Sequence, residues 1–370
     1  MAQDKRMYWL DNLRTCIILL VTLYHVGGVY EAAGLWAKFW IVDDPNIITW
    51  VGIVGIVFDI FIMPIMFFIS GYLTPASLDR KGSWSFLKGK AQRLLLPWLI
   101  AVLTLIPLYN IIFLFSRGLP WEHWSNYLHF TNPRSQSWLW FLPVLFVFNV
   151  IYLLITRARI RLINLSMTQA LFITTVVGFA YSFAIGGILG FRSWTLTPVL
   201  DFENERLLLY FLAFLLGVLA FRRNVFAEKP RKKALFNVVN AIAWIPVAGH
   251  IIIRIWPFIF PEGFEITPMY RCWWWLSFYT ALAAMAYAMI ETFRRFVDRS
   301  GRIWNELNRN SFGVYILHTI LIGLFGTMLL KVDLPGVAKY PILFVATYLG
   351  SNLIVSIYRR VIRRAASITG

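Results

Sequence analysis

Apolar stretches close to twenty residues long recur ten times along this chain, roughly at 12–30, 50–73, 95–116, 138–156, 168–189, 206–221, 234–257, 272–293, 311–330 and 340–358. A helix rises about 1.5 Å per residue, so each stretch matches a hydrocarbon core about 30 Å thick. Backbone in lipid must satisfy its own hydrogen bonds, which selects helices. The composition agrees: 59% of residues are hydrophobic and 14% charged, against about 25% charged in ordinary soluble domains. The expected fold class is therefore all-α, a polytopic integral membrane protein with about ten transmembrane helices.

Charge placement orients the helices. Of the 35 Lys and Arg residues, 26 fall in the leader through Arg14, the four alternate loops and the C-terminal tail; the opposite loops hold eight, and Arg254 lies inside a span. That bias predicts both termini on the cytoplasmic side. Glu31, Asp43, Asp44, Glu122, Asp201, Glu203, Glu205, Glu262, Glu265 and Asp333 all fall in the opposite, outer segments. The formal charge of +17 is thus a topological signature, and no nucleic-acid partner is expected. No internal repeat or second soluble domain is visible, so residues 1–370 are read as one membrane domain. The first apolar run is long for a secretory signal core and its leader mixes Asp4 and Asp11 with Lys5 and Arg6, so the segment is expected to be retained.

Several catalytic classes lose support here. There is no phosphate-binding glycine loop, GxSxG elbow or HExxH pair. No Cys or His cluster has metal-ligand spacing, so no metal is expected. Cys16 and Cys272 fall in separate hydrophobic segments and read as packing residues.

What remains is polar side chains inside apolar helices, where each costs several kcal/mol unless partnered. In "LDNLRTCIILLVTLYHV" (10–26), Arg14 and His25 are separated by about 1100° of helical rotation, three turns plus roughly 20°, and so share one face. They sit roughly 16 Å apart along the axis, which puts His25 near mid-membrane if Arg14 lies at an interface. A histidine there either hydrogen-bonds a neighbouring helix or serves as a general base. Arg14 either snorkels to the surface, pairs with Asp11 or binds a phosphate or thioester.

In "NSFGVYILHT" (310–319), Ser311, Tyr315 and His318 form a second polar stripe, suited to interhelical bonding or to lining a cavity. The inner segment "DRKGSWSFLKGKAQRLLLPW" carries Arg80, Lys81, Lys88, Lys90 and Arg93. Lys90 and Arg93 would share a face if the segment is helical, and such a basic segment either only sets topology or cradles phosphates. His250 and Arg254, one turn apart, could form a substrate rim, while Asp59 and Glu291 read as structural. The outer stretch "EHWSNYLHF" within loop 117–137 suits an interfacial aromatic belt or a sugar-facing lip. These features fit an enzyme working across the membrane or a transporter.

The arginine and histidine with ten residues between them, Arg14 and His25, resemble the hallmark of membrane acyltransferase family 3. "PIMFFISGYL" (64–73) is similar to its second-helix motif, "WLWFLPVLFVF" (138–148) to its aromatic helix and "SFGVYILHT" (311–319) to its late Ser-Tyr-Leu-His segment. One departure is "KAQR", where Lys90 and Arg93 stand in place of Arg-x-x-Arg; lysine keeps the charge but lacks the planar fork. The resemblance implies an O-acyltransferase of the bacterial inner (cytoplasmic) membrane. It would move acetyl or succinyl from cytoplasmic acyl-CoA (acetyl-CoA or succinyl-CoA) to a hydroxyl of an extracytoplasmic glycan or glycolipid. Within the family, the chain is similar to the glucan-succinylating subgroup.

By the same resemblance, His25 and Arg14 are the expected catalytic residues, with Arg14, Lys90 and Arg93 contacting acyl-CoA. His318, Tyr315, Ser311 and Trp140 are the expected acceptor-side residues. Membrane lipids and a homodimer complete the expected partners. The alternative is a proton-coupled transporter or lipid-linked substrate flippase, with the histidines as proton relays.

The topology is directly testable. With Cys16 and Cys272 replaced, Ser85→Cys should react with a membrane-impermeant thiol reagent only from the cytoplasmic face, and Glu122→Cys only from the outside.

Overall fold

The computed structural model describes residues 7–31, 40–131, 136–158, 165–228 and 233–368. The leader cations Lys5 and Arg6, residues 32–34 after the first apolar run, residues 132–135 of the outer loop, and the inner-loop residues Arg159, Arg161, Lys229, Arg231 and Lys232 lie outside these. The described chain is built from helices α1 (Tyr8–Gly27), α2 (Thr49–Lys81), α3 (Ser83–Lys90), α4 (Leu96–Ser116), α5 (Phe141–Arg157) and α6 (Met167–Ile188). These are followed by α7 (Leu207–Arg222), α8 (Lys233–Ile242), α9 (Trp244–Ile259), α10 (Pro268–Phe296), α11 (Arg302–Leu330) and α12 (Gly336–Ile368).

Nine helical stretches among the described residues are long and apolar enough to cross a membrane, and they coincide with the last nine of the ten expected spans. The tenth, α1, is a regular helix of 20 residues, diluted in apolarity by Asp11, Asn12, Arg14 and His25. The fold is all-α and polytopic, apart from a small antiparallel hairpin of β1 (Trp194–Leu196) and β2 (Asp201–Glu203). This hairpin closes because Asp201 Oδ1 accepts from the Thr197 amide at 3.1 Å and the Thr197 hydroxyl caps Leu200.

Local sequence explains several boundaries. Ser166 and Gln169 form a reciprocal capping box that starts α6. Gly82, at φ +68°, permits the sharp break between α2 and α3. The basic inner segment is helical, and Ala91–Leu95 between α3 and α4 forms a π-turn. Pro97 has no amide to donate, and the Leu96 amide reaches back to the Ala91 carbonyl. A wider turn rotates less per residue than an α-helix, so residues three apart fall further short of a full turn and point in more different directions. Lys90 and Arg93 therefore differ in setting: Lys90 is half-buried and Arg93 exposed.

The chain divides into two compact units that interleave in sequence: Met1–Phe58, Leu103–Asn132 and Phe296–Gly370 form the first, Asp59–Val102 and Pro133–Arg295 the second. In the first unit α1 packs against α11 and α12, which also pack on each other. Asn12 Nδ2 donates to the carbonyls of Val297 (2.8 Å) and Arg299 (3.0 Å), Asn308 Nδ2 donates to Asn12 Oδ1 (2.8 Å), and the Thr15 hydroxyl donates to Asn308 Oδ1 (2.5 Å). These bonds pin the start of α1 to the start of α11, and Leu13 and Ile17 of α1 and Ile322 of α11 are fully buried.

In the second unit α2 and α7 approach backbone to backbone. A Cβ on Gly71 would lie 1.9 Å from the Phe214 carbonyl oxygen, and one on Gly217 would lie 2.0 Å from that of Phe68. Only glycine allows this spacing, as in other close membrane helix pairs. Buried charges in the same unit are mutually satisfied. Asp59 receives a bidentate pair from Arg206 at 2.8 Å and a third bond from Arg254 at 3.1 Å, while Glu203 faces Arg206 Nε at 3.2 Å.

Gly71→Ala or Gly217→Ala should each force the helices apart and cost about 1–3 kcal/mol. Gly249→Ala, with open space around it, should be neutral. Thermal unfolding in detergent, followed by size exclusion, checks the contrast.

Candidate active site

The two polar stripes read from the sequence lie against each other in the first unit. At one end, the Asn308 carbonyl accepts from Arg14 Nη2 (3.4 Å) and from the Ser311 hydroxyl (3.1 Å). Arg14 also faces Asp11 at 3.5 Å, and its side chain keeps about a third of its surface exposed. At the other end, His25 Nδ1 stands 2.7 Å from His318 Nε2, with the rings stacked at 5.0 Å and 16°. Tyr315, one turn before His318, places its ring 6.1 Å from the His318 ring.

The two imidazoles differ in access. His318 is fully buried, and its Nδ1 meets the carbonyl oxygens of Tyr315 (2.7 Å) and Val314 (3.2 Å). His25, in the last turn of α1, is half-buried. One histidine is thus presented and the other encased behind it.

A strap formed by residues 40–48 covers the pair. The Trp40 indole stacks on His25 at 5.0 Å and 27°, and Tyr109 meets Trp40 edge-on at 6.4 Å. Gly28 makes room, since a Cβ there would come within 3.2 Å of the indole. The Arg117 guanidinium holds the strap by donating to the carbonyls of Trp40 (2.8 Å) and Ile41 (3.3 Å). Burial draws that guanidinium below its ordinary pKa range, opposed by Asp43. Farther along, Asp44 accepts from the Asn46 amide (2.8 Å) and side chain (2.9 Å) and binds Lys339 Nζ at 2.9 Å, both side chains of that ion pair being buried.

Other residues expected at the site belong to the second unit. Lys90 Nζ donates to the Thr74 hydroxyl at 3.2 Å and lies 5.4 Å from the Phe86 ring centre. Lys81, Ser85, Lys88, Gly89 and Gln92 line a cleft of about 390 Å³; Ser85, Lys88 and Gly89 share one face of α3, and Lys90 is not among the lining residues. Trp140 is half-buried among Phe67, Trp194 and Tyr210, with ring centres 5.6–6.3 Å away. His250 and Arg254 do not form an open rim. Both are buried, His250 bonds Ser277 at 2.9 Å, and Arg254 is turned to Asp59, because an arginine inside a span needs a carboxylate. Asp59 and Glu291, read as structural, are both in ion pairs, Asp59 with Arg206 and Arg254 and Glu291 with Arg294 and Arg295. In the outer stretch, Trp124 is exposed and His129 buried.

Sequence reasoning missed Trp40, Asn308 and the Asp44–Lys339 pair as parts of the site. Asn308 lies three residues before Ser311 on the same face, a signal that was available. Trp40 sits in a connecting segment with no periodic signature, and Lys339 lies in the first turn of α12, just before the apolar stretch expected at 340–358.

Comparison with known proteins places this geometry in context. A family model described as an acyltransferase domain matches residues 7–356. Glucans biosynthesis protein C of Escherichia coli O1:K1 is 24% identical over 297 residues, covering 77% of this chain and 66% of the relative. The protein of that name from strain K12 is 27% identical over 250 residues, covering 63% and 61%. The matches thus span just under two thirds of the length of these relatives.

Breaking the buried ion pair on one side should be costly. Lys339→Met or Asp44→Leu alone should lose about 3–5 kcal/mol, and the double variant should recover most of it. Unfolding midpoints of the three variants test the coupling.

Proposed function

The chain belongs to membrane acyltransferase family 3, and on that premise we propose that it is an integral-membrane O-acyltransferase using acyl-CoA as donor and a glycan hydroxyl as acceptor. The observation that carries this reading is the His25 imidazole, on a half-buried residue, standing 2.7 Å from the fully buried His318. Such a pair presents one basic nitrogen in a fixed direction, which is what general-base catalysis requires.

In the proposed reaction, His25 accepts the proton of the acceptor hydroxyl as its oxygen attacks the thioester carbonyl. The carbon–sulfur bond breaks, and the departing CoA thiolate takes the proton from His25. An ester and free CoA result. Arg14, partly exposed beside the same helix seam, is assigned to the pantetheine or thioester end of the donor. For the donor phosphates, the exposed Arg93, Lys81 and Lys88 are better presented than Lys90, which is engaged with Thr74. Tyr315 and Ser311 are assigned to the acceptor side near the dyad, and Trp140 to sugar contact. The relatives' printed name makes a glucan the first acceptor to try, with acetyl and succinyl as the candidate groups. The setting is a bacterial inner membrane with both termini cytoplasmic.

Purified protein, incubated with radiolabelled acetyl-CoA or succinyl-CoA and envelope glycan, should move label into glycan. His25→Ala should lower that transfer at least about 100-fold while the protein elutes as a folded species. Near-normal transfer in that variant removes the assignment of the base.

A further inference from the structure

The hydrogen bonds around His318 decide which nitrogen of His25 is basic. A carbonyl oxygen can only accept, so His318 Nδ1, at 2.7 Å from the Tyr315 carbonyl, carries a hydrogen. The groups that His318 meets are two carbonyls, His25 and the Thr319 hydroxyl at 3.3 Å. None is a carboxylate, and the ring is wholly buried, so the neutral form fits this surrounding. In a neutral ring with hydrogen on Nδ1, Nε2 is an acceptor. His25 Nδ1 stands 2.7 Å from that acceptor and must therefore be the donor.

The geometry points to His318 as a positioning residue that holds His25 in the tautomer with hydrogen on Nδ1, making His25 Nε2 the basic nitrogen. The chain of bonds runs from His25 Nδ1–H to His318 Nε2, and from His318 Nδ1–H to the Tyr315 carbonyl. It ends there, because an amide carbonyl does not take a proton. The pair is thus an orienting device rather than a proton wire. This distinguishes it from the relay a proton-coupled transporter would need, where each member hands its proton on. When His25 Nε2 takes the acceptor proton, Nδ1–H keeps its partner and becomes a charge-assisted donor.

This inference rests on the proposed transfer reaction for its catalytic meaning, but the tautomer itself can be read without any substrate. Protein labelled with ¹⁵N-histidine, with His25→Gln used to assign its signals, should show His25 protonated at Nδ1 and bare at Nε2. His318→Phe, which keeps a ring but removes the acceptor, should shift His25 toward the other tautomer. It should also lower kcat on the order of 100-fold, as small misplacements of a reacting group do, with KM for acyl-CoA unchanged. His318→Gln, whose amide oxygen can accept, should restore the tautomer and part of kcat. Should His318→Phe not fold, the wild-type signals and His318→Gln carry the test. Thr319→Val should leave the signals unaltered, since its hydroxyl is the longer contact.

Wild-type His25 protonated at Nε2, or a tautomer indifferent to His318→Phe, would overturn the inference even if transfer activity is found. The expected tautomer in a protein that transfers no acyl group would instead leave the positioning in place and remove the proposed reaction.

Discussion

Every polar side chain inside a hydrocarbon-spanning bundle needs a partner, because the lipid offers none and an unpaired group costs several kcal/mol. That requirement organises this protein. The starts of α1 and α11, nearly three hundred residues apart in sequence, are joined through Asn12, Thr15 and Asn308. The far ends of the same two stripes are joined by His25 and His318. In the second unit, Asp59 gathers Arg206 and Arg254 from two further helices. Since helix association in lipid lacks the hydrophobic drive available in water, such pairs, together with glycine contacts like Gly71 and Gly217, specify which helices neighbour which.

The same economy explains the shape of the candidate site. A single histidine at that depth would be a liability, whereas a stacked pair bonded to a backbone carbonyl satisfies its own donors. Burying His318 completely and leaving His25 half-open separates support from reactivity. The strap over them is equally constrained. Trp40 depends on the missing side chain of Gly28, on the Arg117 guanidinium and, farther along, on the Asp44–Lys339 ion pair. A loop that would otherwise be mobile thereby becomes a fixed wall beside the imidazole.

Much of this was legible in the chain itself, for identifiable reasons. The positions of all ten spans, α1 among them, are legible from length and apolarity, and the polar residues of α1 dilute its hydropathy without hiding it. Arg14 with His25, and Ser311 with Tyr315 and His318, could be placed on common faces from helical geometry alone. The form of the basic segment stays open in the sequence: Pro97 acts through a missing amide, and whether that yields a break or a π-turn depends on the helix around it. The sequence leaves His250 and Arg254 looking like a substrate rim because the partner of Arg254, Asp59, lies far away in sequence on another helix.

Sequence alone therefore determined the helices, their apolar lengths and which polar residues share a face, since these depend on backbone geometry over a turn or two. Tertiary structure decided that the two stripes face each other, that His318 rather than His25 is sealed, and that Trp40 lies on the imidazole. The facing stripes and the sealing of His318 depend on residues nearly three hundred positions apart, and the Trp40 contact on the path of a connecting segment; helix packing sets all three, and no local periodicity encodes them.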